Sequence, residues 1–162
     1  MFEAKSIAAT GKSALYAELA LQAEALLHGE RDRIANAANL SALIWQTLPG
    51  LNWAGFYFHD GRELVLGPFQ GKPACVRIAL GKGVCGTAAA QRATVIVEDV
   101  HQFAGHITCD SASNSEIVVP LLRGDQVLGV LDLDSPEFKR FDAEDQRGLE
   151  RLAEIWVLAS TA

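Results

Sequence analysis

The sequence holds no apolar run long enough to cross a bilayer, no cluster of lysine and arginine, and no Cys-x-x-Cys pair. The first absence excludes a membrane-spanning helix, which needs about 20 consecutive apolar residues. The second excludes a nucleic-acid binder. Phosphate contacts need concentrated positive charge, and here 14 Lys and Arg stand against 20 Asp and Glu, a net charge of −6. The third weighs against a structural zinc site, which usually draws on closely spaced ligand pairs. The start of the chain lacks the basic-then-apolar pattern of a signal peptide, so a cytoplasmic protein is expected. Repeats, low-complexity tracts and linkers are missing too. A chain of 162 residues therefore predicts one domain with one core.

What is present divides into three stretches. Residues 1–50 read as N-terminal helices, 51–135 as a sheet with its functional loops, and 136–162 as a C-terminal helix. Apolar spacing predicts a helix from Lys12 to Leu27, with Ser13 as N-cap and Leu15, Leu19, Ala23, Leu26 and Leu27 inward. A second helix is expected from Arg31 to Leu48, burying Ile34, Ala37, Ala38, Ile44 and Leu48, and ended by Pro49-Gly50. From Leu51 the period changes to that of strands, over Trp53–Phe58, Glu63–Leu66, Val76–Leu80, Thr94–Val97, Ile117–Leu122 and Val127–Asp134. A short alanine-rich helix over Gly83–Arg92 interrupts them. Phe141 opens the closing helix, with Asp142 as its N-cap and Leu149, Leu152, Ile155, Trp156 and Ala159 facing the core. Hairpin links dominate, so the fold class is α+β: a central antiparallel sheet of about six strands, with helices mainly on one face.

Cysteine is scarce but clustered. Cys75, Cys85 and Cys109 fall within 35 residues, all in glycine-rich or polar segments, and the other 127 residues have none. Metal ligation and thiol redox both suit such a cluster. Spacings of 10 (85 − 75) and 24 (109 − 85) contain no close pair, and His101 and His106 add no standard ligand pattern, which favours redox. In a reducing compartment any disulfide would be transient. Cys85 reads two ways, as the first turn of a packed helix or as a thiol whose pKa a helix N-terminus lowers. Cys109 sits in a long irregular stretch from Glu98 to Ser115, and loops of that length are often functional.

The acids follow a strand pattern. Asp132 and Asp134 alternate with Leu131 and Leu133 and so share a face. That face is either solvated or, if the strand is central, covered; two covered carboxylates would raise at least one pKa. Glu116 begins the neighbouring strand and could join them. Trp53 reads as a core aromatic or as one wall of a pocket, and by strand parity Tyr57 shares its face.

Several of these segments occur together and in order: Asn52-Trp53-Ala54-Gly55-Phe56-Tyr57-Phe58, Leu66–Cys75, Gly81-Lys82-Gly83-Val84-Cys85-Gly86-Thr87, His106–Pro120 and Gly129–Ser135. With these motifs at these separations, the chain resembles the free methionine-R-sulfoxide reductases, which are stand-alone GAF domains. The resemblance implies a substrate, free L-methionine (R)-sulfoxide, and a set of roles. Cys109 would be the nucleophile, Cys75 the resolving cysteine and Cys85 a third, secondary thiol. Trp53 would pack on the substrate methyl group, while Glu116, Asp132 and Asp134 bind the amine and polarise the sulfoxide. No bound cofactor or metal is implied; thioredoxin would be the reductant and a homodimer the assembly. Two other readings stay open, a non-catalytic GAF module that binds a small ligand and a thiol redox sensor.

Overall fold

Alternation along the strands divides two cores. In β1 (Trp53–His59) Ala54, Phe56 and Phe58 face one way, Trp53 and Tyr57 the other. In β5 (Ser115–Arg123) and β6 (Gln126–Ser135), Ile117, Val119, Leu131 and Leu133 join the first side, and Val118 and Val130 the second. The structure is a computed structural model that describes residues 2, 5–107 and 110–161. Its six-stranded sheet also contains β2 (Glu63–Gly71), β3 (Arg77–Ala79) and β4 (Val95–Val97), in the order β3-β2-β1-β6-β5-β4, with every pairing antiparallel.

Helices α1 (Lys12–Leu26), α2 (Arg33–Thr47) and α4 (Ala143–Ala159) cover the first side, around Phe56, Leu131 and Trp156. Helix α3 (Gly83–Gln91) packs on the second through Val84, Cys85, Ala88 and Ala89. The α+β class, the antiparallel sheet and the one-sided gathering of helices are as expected. None of the helices among the described residues is long and apolar enough to cross a membrane.

Three expectations need correction. Ser13 does not cap α1: the N-cap is Gly11 at φ 93°, which no side chain caps, and Ser13 lies inside the helix. In α2, Ile34 and Ala38 point outward, while Asn36, Ala37, Leu40, Ser41, Leu43 and Ile44 are buried. The inward polar groups are bonded: Asn36 Nδ2 donates to Ser160 Oγ at 3.1 Å and Ser41 Oγ to Pro68 O at 3.3 Å. A count of apolar residues cannot see them. The third concerns strand lengths. β2 runs five residues past its expected end because Trp53, Ala54 and Gly55 pair with Gly71, Gln70 and Phe69. β3 is correspondingly short.

Helix α4 is held at its start by charge. Asp142 and Asp145 form a capping box, as Asp142 was expected to begin. Asp145 is fully buried and accepts from Tyr16 Oη at 2.9 Å and Arg140 Nη1 at 3.2 Å; Lys12 Nζ reaches it as well. Gly148 lets α1 and α4 touch, since a Cβ there would lie 2.1 Å from the Tyr16 ring. Removing one partner of a buried ion cluster costs about 3–5 kcal/mol. Asp145→Ala is therefore expected to lower unfolding free energy by about that much in urea titrations; a loss below about 1 kcal/mol would contradict this account.

Candidate active site

The second side of the sheet opens into a cavity of about 520 Å³ that includes solvent space at its mouth. Its floor is supplied by three adjacent strands. Trp53 is paired with Asp134 and Gly55 with Asp132 across β1 and β6, and Glu116 with Asp134 across β5 and β6. This register, set by the alternation of leucines into the other core, places Trp53, Glu116, Asp132 and Asp134 side by side. All four line the cavity, with Tyr57, Ile78, Gly83, Val84, Cys85, His106, Asp110 and Ser113. Gly55 makes room for the indole: a Cβ there would come within 2.8 Å of Trp53 Cη2 and 2.3 Å of Phe69 Cβ. Trp53 stacks on Phe69 (5.2 Å, 15°) and on Tyr57 (5.8 Å, 27°).

Both aromatic residues hold the loop that carries Cys75. Trp53 Nε1 donates to Lys72 O at 3.1 Å and Tyr57 Oη to Cys75 O at 3.0 Å. Cys75 is half-buried and disulfide-bonded, whereas Cys85 is free and buried. Cys109 lies outside the described residues. Cys85 does not behave as an activated thiol. Burial pushes its pKa well up, and the charges of Asp132 and Glu116 push it further. Its Sγ is 3.9 Å from Glu116 Oε1. Desolvation and two carboxylates outweigh the helix N-terminus, so of the two readings of Cys85 the packed thiol fits and the lowered pKa does not.

The acids share the same environment. Burial, then the charge of Asp134, raises Glu116; burial, then Glu116, raises Asp132; burial, then Asp132, raises Asp134. Asp132 Oδ1 is buried and accepts no hydrogen bond among the described residues. Such a group lacks positive charge and protons, and an ammonium group or a proton-bearing oxygen would supply them. Cys85, Glu116 and Asp132 also bring donor atoms within 4.8 Å of one another, close enough to share a divalent cation.

Three polar lining residues were given no place in the site read from the sequence: His106, Asp110 and Ser113. All come from the irregular stretch before β5, where no periodicity marks which side chain turns inward. His106 Nε2 stands 3.6 Å from Glu116 Oε2, and burial lowers its pKa. Their signal was the length and polarity of the stretch itself. Strand parity put Trp53 with Tyr57 and Asp132 with Asp134 and allowed Glu116 to join the acids; in the structure all five line one cavity.

A six-stranded antiparallel sheet with a pocket on the α3 side fits a GAF domain, and the GAF domain profile matches residues 20–159. The chain belongs to the free methionine-R-sulfoxide reductases within that family. It is 55% identical to the free methionine-R-sulfoxide reductase of Escherichia coli (strain K12) over 141 residues, covering 87% of this chain and 86% of the relative. It is 45% identical to that of Saccharomyces cerevisiae over 152 residues, covering 89% and 84%. The solved structure of the Neisseria meningitidis free methionine-R-sulfoxide reductase in complex with its substrate superposes with a TM-score of 0.94 at 44% identity, covering 98% of this chain and 95% of the other.

Proposed function

We propose that this chain reduces free L-methionine (R)-sulfoxide to methionine in the pocket between the sheet and α3. The observation that carries the reading is the meeting of a stacked indole with three buried acids in one pocket. Trp53 offers an apolar face to the S-methyl group. The acids offer charge to the ammonium group and a proton to the sulfoxide oxygen, which must be protonated before its bond to sulfur breaks. Burial raises the pKa of all three carboxyls, the direction that favours holding a proton for donation.

The thiol chemistry then balances in three steps. The thiolate of Cys109 attacks the sulfoxide sulfur while the oxygen takes a proton from a buried acid; the sulfur–oxygen bond breaks, the hydroxyl passes to the cysteine sulfur, the transient sulfur–sulfur bond breaks, and methionine leaves with Cys109 as a sulfenic acid. The thiol of Cys75 condenses with the sulfenic acid, forming a disulfide and releasing water. A dithiol of the thioredoxin type reduces that disulfide by exchange and is itself oxidised. Cys75 suits the resolving role because it is half-buried and already forms a disulfide, beside the exposed Val76. Cys85, with its raised pKa, takes a secondary part. No bound cofactor is needed.

Membership of the family supports a homodimer, with exposed Leu21 on α1 as one N-terminal candidate for the interface. It likewise supports a single GAF domain over residues 1–162, of which the profile matches 20–159. The test is a coupled assay with thioredoxin, its reductase and NADPH. The R epimer of free methionine sulfoxide is expected to drive NADPH oxidation and the S epimer not to. Absence of turnover with the R epimer would end the enzyme reading. After a single turnover without reductant, mass mapping is expected to find Cys75 joined to Cys109; a Cys75–Cys85 bond with Cys109 free would reverse the assignment.

A further inference from the structure

We propose that Asn52 is a positioning residue of this pocket: its amide fixes the turn over 110–114 and directs the Ser113 hydroxyl at Asp134. Asn52 precedes Trp53 in the chain, and its backbone N–H donates to Asp134 O at 3.0 Å, which anchors it beside that acid. Its side-chain Nδ2 donates twice, to Asp110 Oδ2 at 3.2 Å and to Ser113 Oγ at 3.0 Å. Its Oδ1 is buried and accepts nothing among the described residues. A buried carbonyl without a donor is destabilising, so the amide is kept in this orientation for its two donors. The reverse orientation would set the carbonyl oxygen against the Asp110 carboxylate.

The consequence reaches the pocket through Ser113, which is buried. Its oxygen accepts from Asn52, so its single proton is left for another acceptor. Asp134 is the acceptor that the geometry offers: it lines the cavity beside Ser113, Asn52 is bonded to both residues, and Ser113 counters the upward push of burial, of the Asp132 charge and of Asp110 on the Asp134 pKa. Glu116 and Asp132 are raised as well, and the donor that eases them is the Cys85 thiol rather than a group of this turn. The turn itself is closed by Ala112 N to Asp110 Oδ1 at 2.9 Å, Ser113 N to Asp110 O at 3.2 Å and Asn114 N to Ser135 O at 2.8 Å. Lys72 Nζ, 3.5 Å from Asp110 Oδ1, ties the turn to the Cys75 loop. One amide thus couples the head of β1, the segment that follows Cys109 in the chain, and the acid at the end of β6.

This inference rests on the proposed reductase activity, and its test separates the two. Asn52→Ala removes the donors and the unpaired carbonyl together. It is expected to shift Tm by less than about 3 °C, to raise KM for methionine (R)-sulfoxide about tenfold or more, and to change kcat less than about threefold. Ser113→Ala is expected to reproduce that KM, and Ser113→Thr, which keeps the hydroxyl, to restore it. Backbone amides of Ala112 and Ser113 are expected to exchange faster in Asn52→Ala. An unchanged KM with unchanged exchange overturns the proposal. So does a fall in Tm accompanied by equal losses in kcat and KM, which marks a structural role only. If the wild-type protein shows no turnover, the activity reading fails, and the exchange measurement still decides whether Asn52 holds the turn.

Discussion

Cys109→Ser is expected to lower kcat with free methionine (R)-sulfoxide by a factor of about a thousand or more, with KM little changed. A serine hydroxyl at its ordinary pKa is a far weaker nucleophile than a thiolate, and it cannot accept oxygen to give a sulfenic acid. The neighbouring thiols offer no substitute. Cys85 is buried, and its pKa is pushed well up by burial and then by Asp132 and Glu116. Cys75 has its carbonyl held by the hydrogen bond from Tyr57 and does not line the cavity. KM should survive because the proposed function assigns binding to Trp53 and the acids rather than to the thiolate. Activity in Cys109→Ser above about a hundredth of wild type would move the nucleophile to another residue.

Asp132→Asn is expected to act in opposite directions on activity and stability. Turnover should fall about a hundredfold or more, the range for loss of a general acid or of a charged ligand to the reacting group. The substrate-free protein should at the same time gain about 1–2 kcal/mol at neutral pH, or roughly 3–6 °C in Tm. The gain follows from the sign of the shift. The folded-state pKa of Asp132 is raised, first by burial and then by Glu116, so the folded protein holds its proton more tightly than the unfolded chain does. The stabilising contribution is whole below the unfolded value, about 3.9, and is lost as pH climbs through the folded value. Glu116 and Asp134 are shifted the same way. Asp142 runs against them. Its hydrogen bond with Lys12 holds it down to about 2, so its contribution is present above the unfolded value and is lost as pH falls towards 2. Substrate-free Tm should therefore decline from weakly acid to alkaline pH, and more gently in Asp132→Asn. Tm profiles from pH 4 to 9 on both proteins check this; a lower Tm in the variant at pH 7 would sink it.

The sequence disclosed those features that depend on period and parity. Trp53 with Tyr57, and Asp132 with Asp134, lie two or four residues apart on strands, and the pleat alone puts each pair on one face. Glu116 could be added because it opens the strand next to β6. Where polar groups were turned inward, the pattern failed. Asn36 and Ser41 face the core of α2 and displaced Ile34 and Ala38 from the face assigned to them. Irregular backbone defeated it as well, since no rule of spacing foretells that His106, Asp110 and Ser113 meet in the cavity. The Cys85 thiol shows a third cause. Its place at a helix N-terminus was legible, but the acids that overrule the helix come from two strands 31 and 47 residues further along, at Glu116 (116 − 85) and Asp132 (132 − 85).

The strand order also bears on the redox cycle. β3 and β4 form the two opposite edges of the sheet and are only three residues long. Cys75 lies just before β3, and Cys109 lies between β4 and β5. A bond between the two sulfurs would cross-link an excursion of 34 residues (109 − 75) that leaves one margin of the sheet and returns at the other. Closing a loop of that length removes roughly 3–4 kcal/mol of disorder from the unfolded chain. Each turnover would then lock and unlock the marginal strands while the four central ones stay paired. Resistance to unfolding would rise on oxidation and fall on reduction, making the melting temperature itself a reporter of the thiol state.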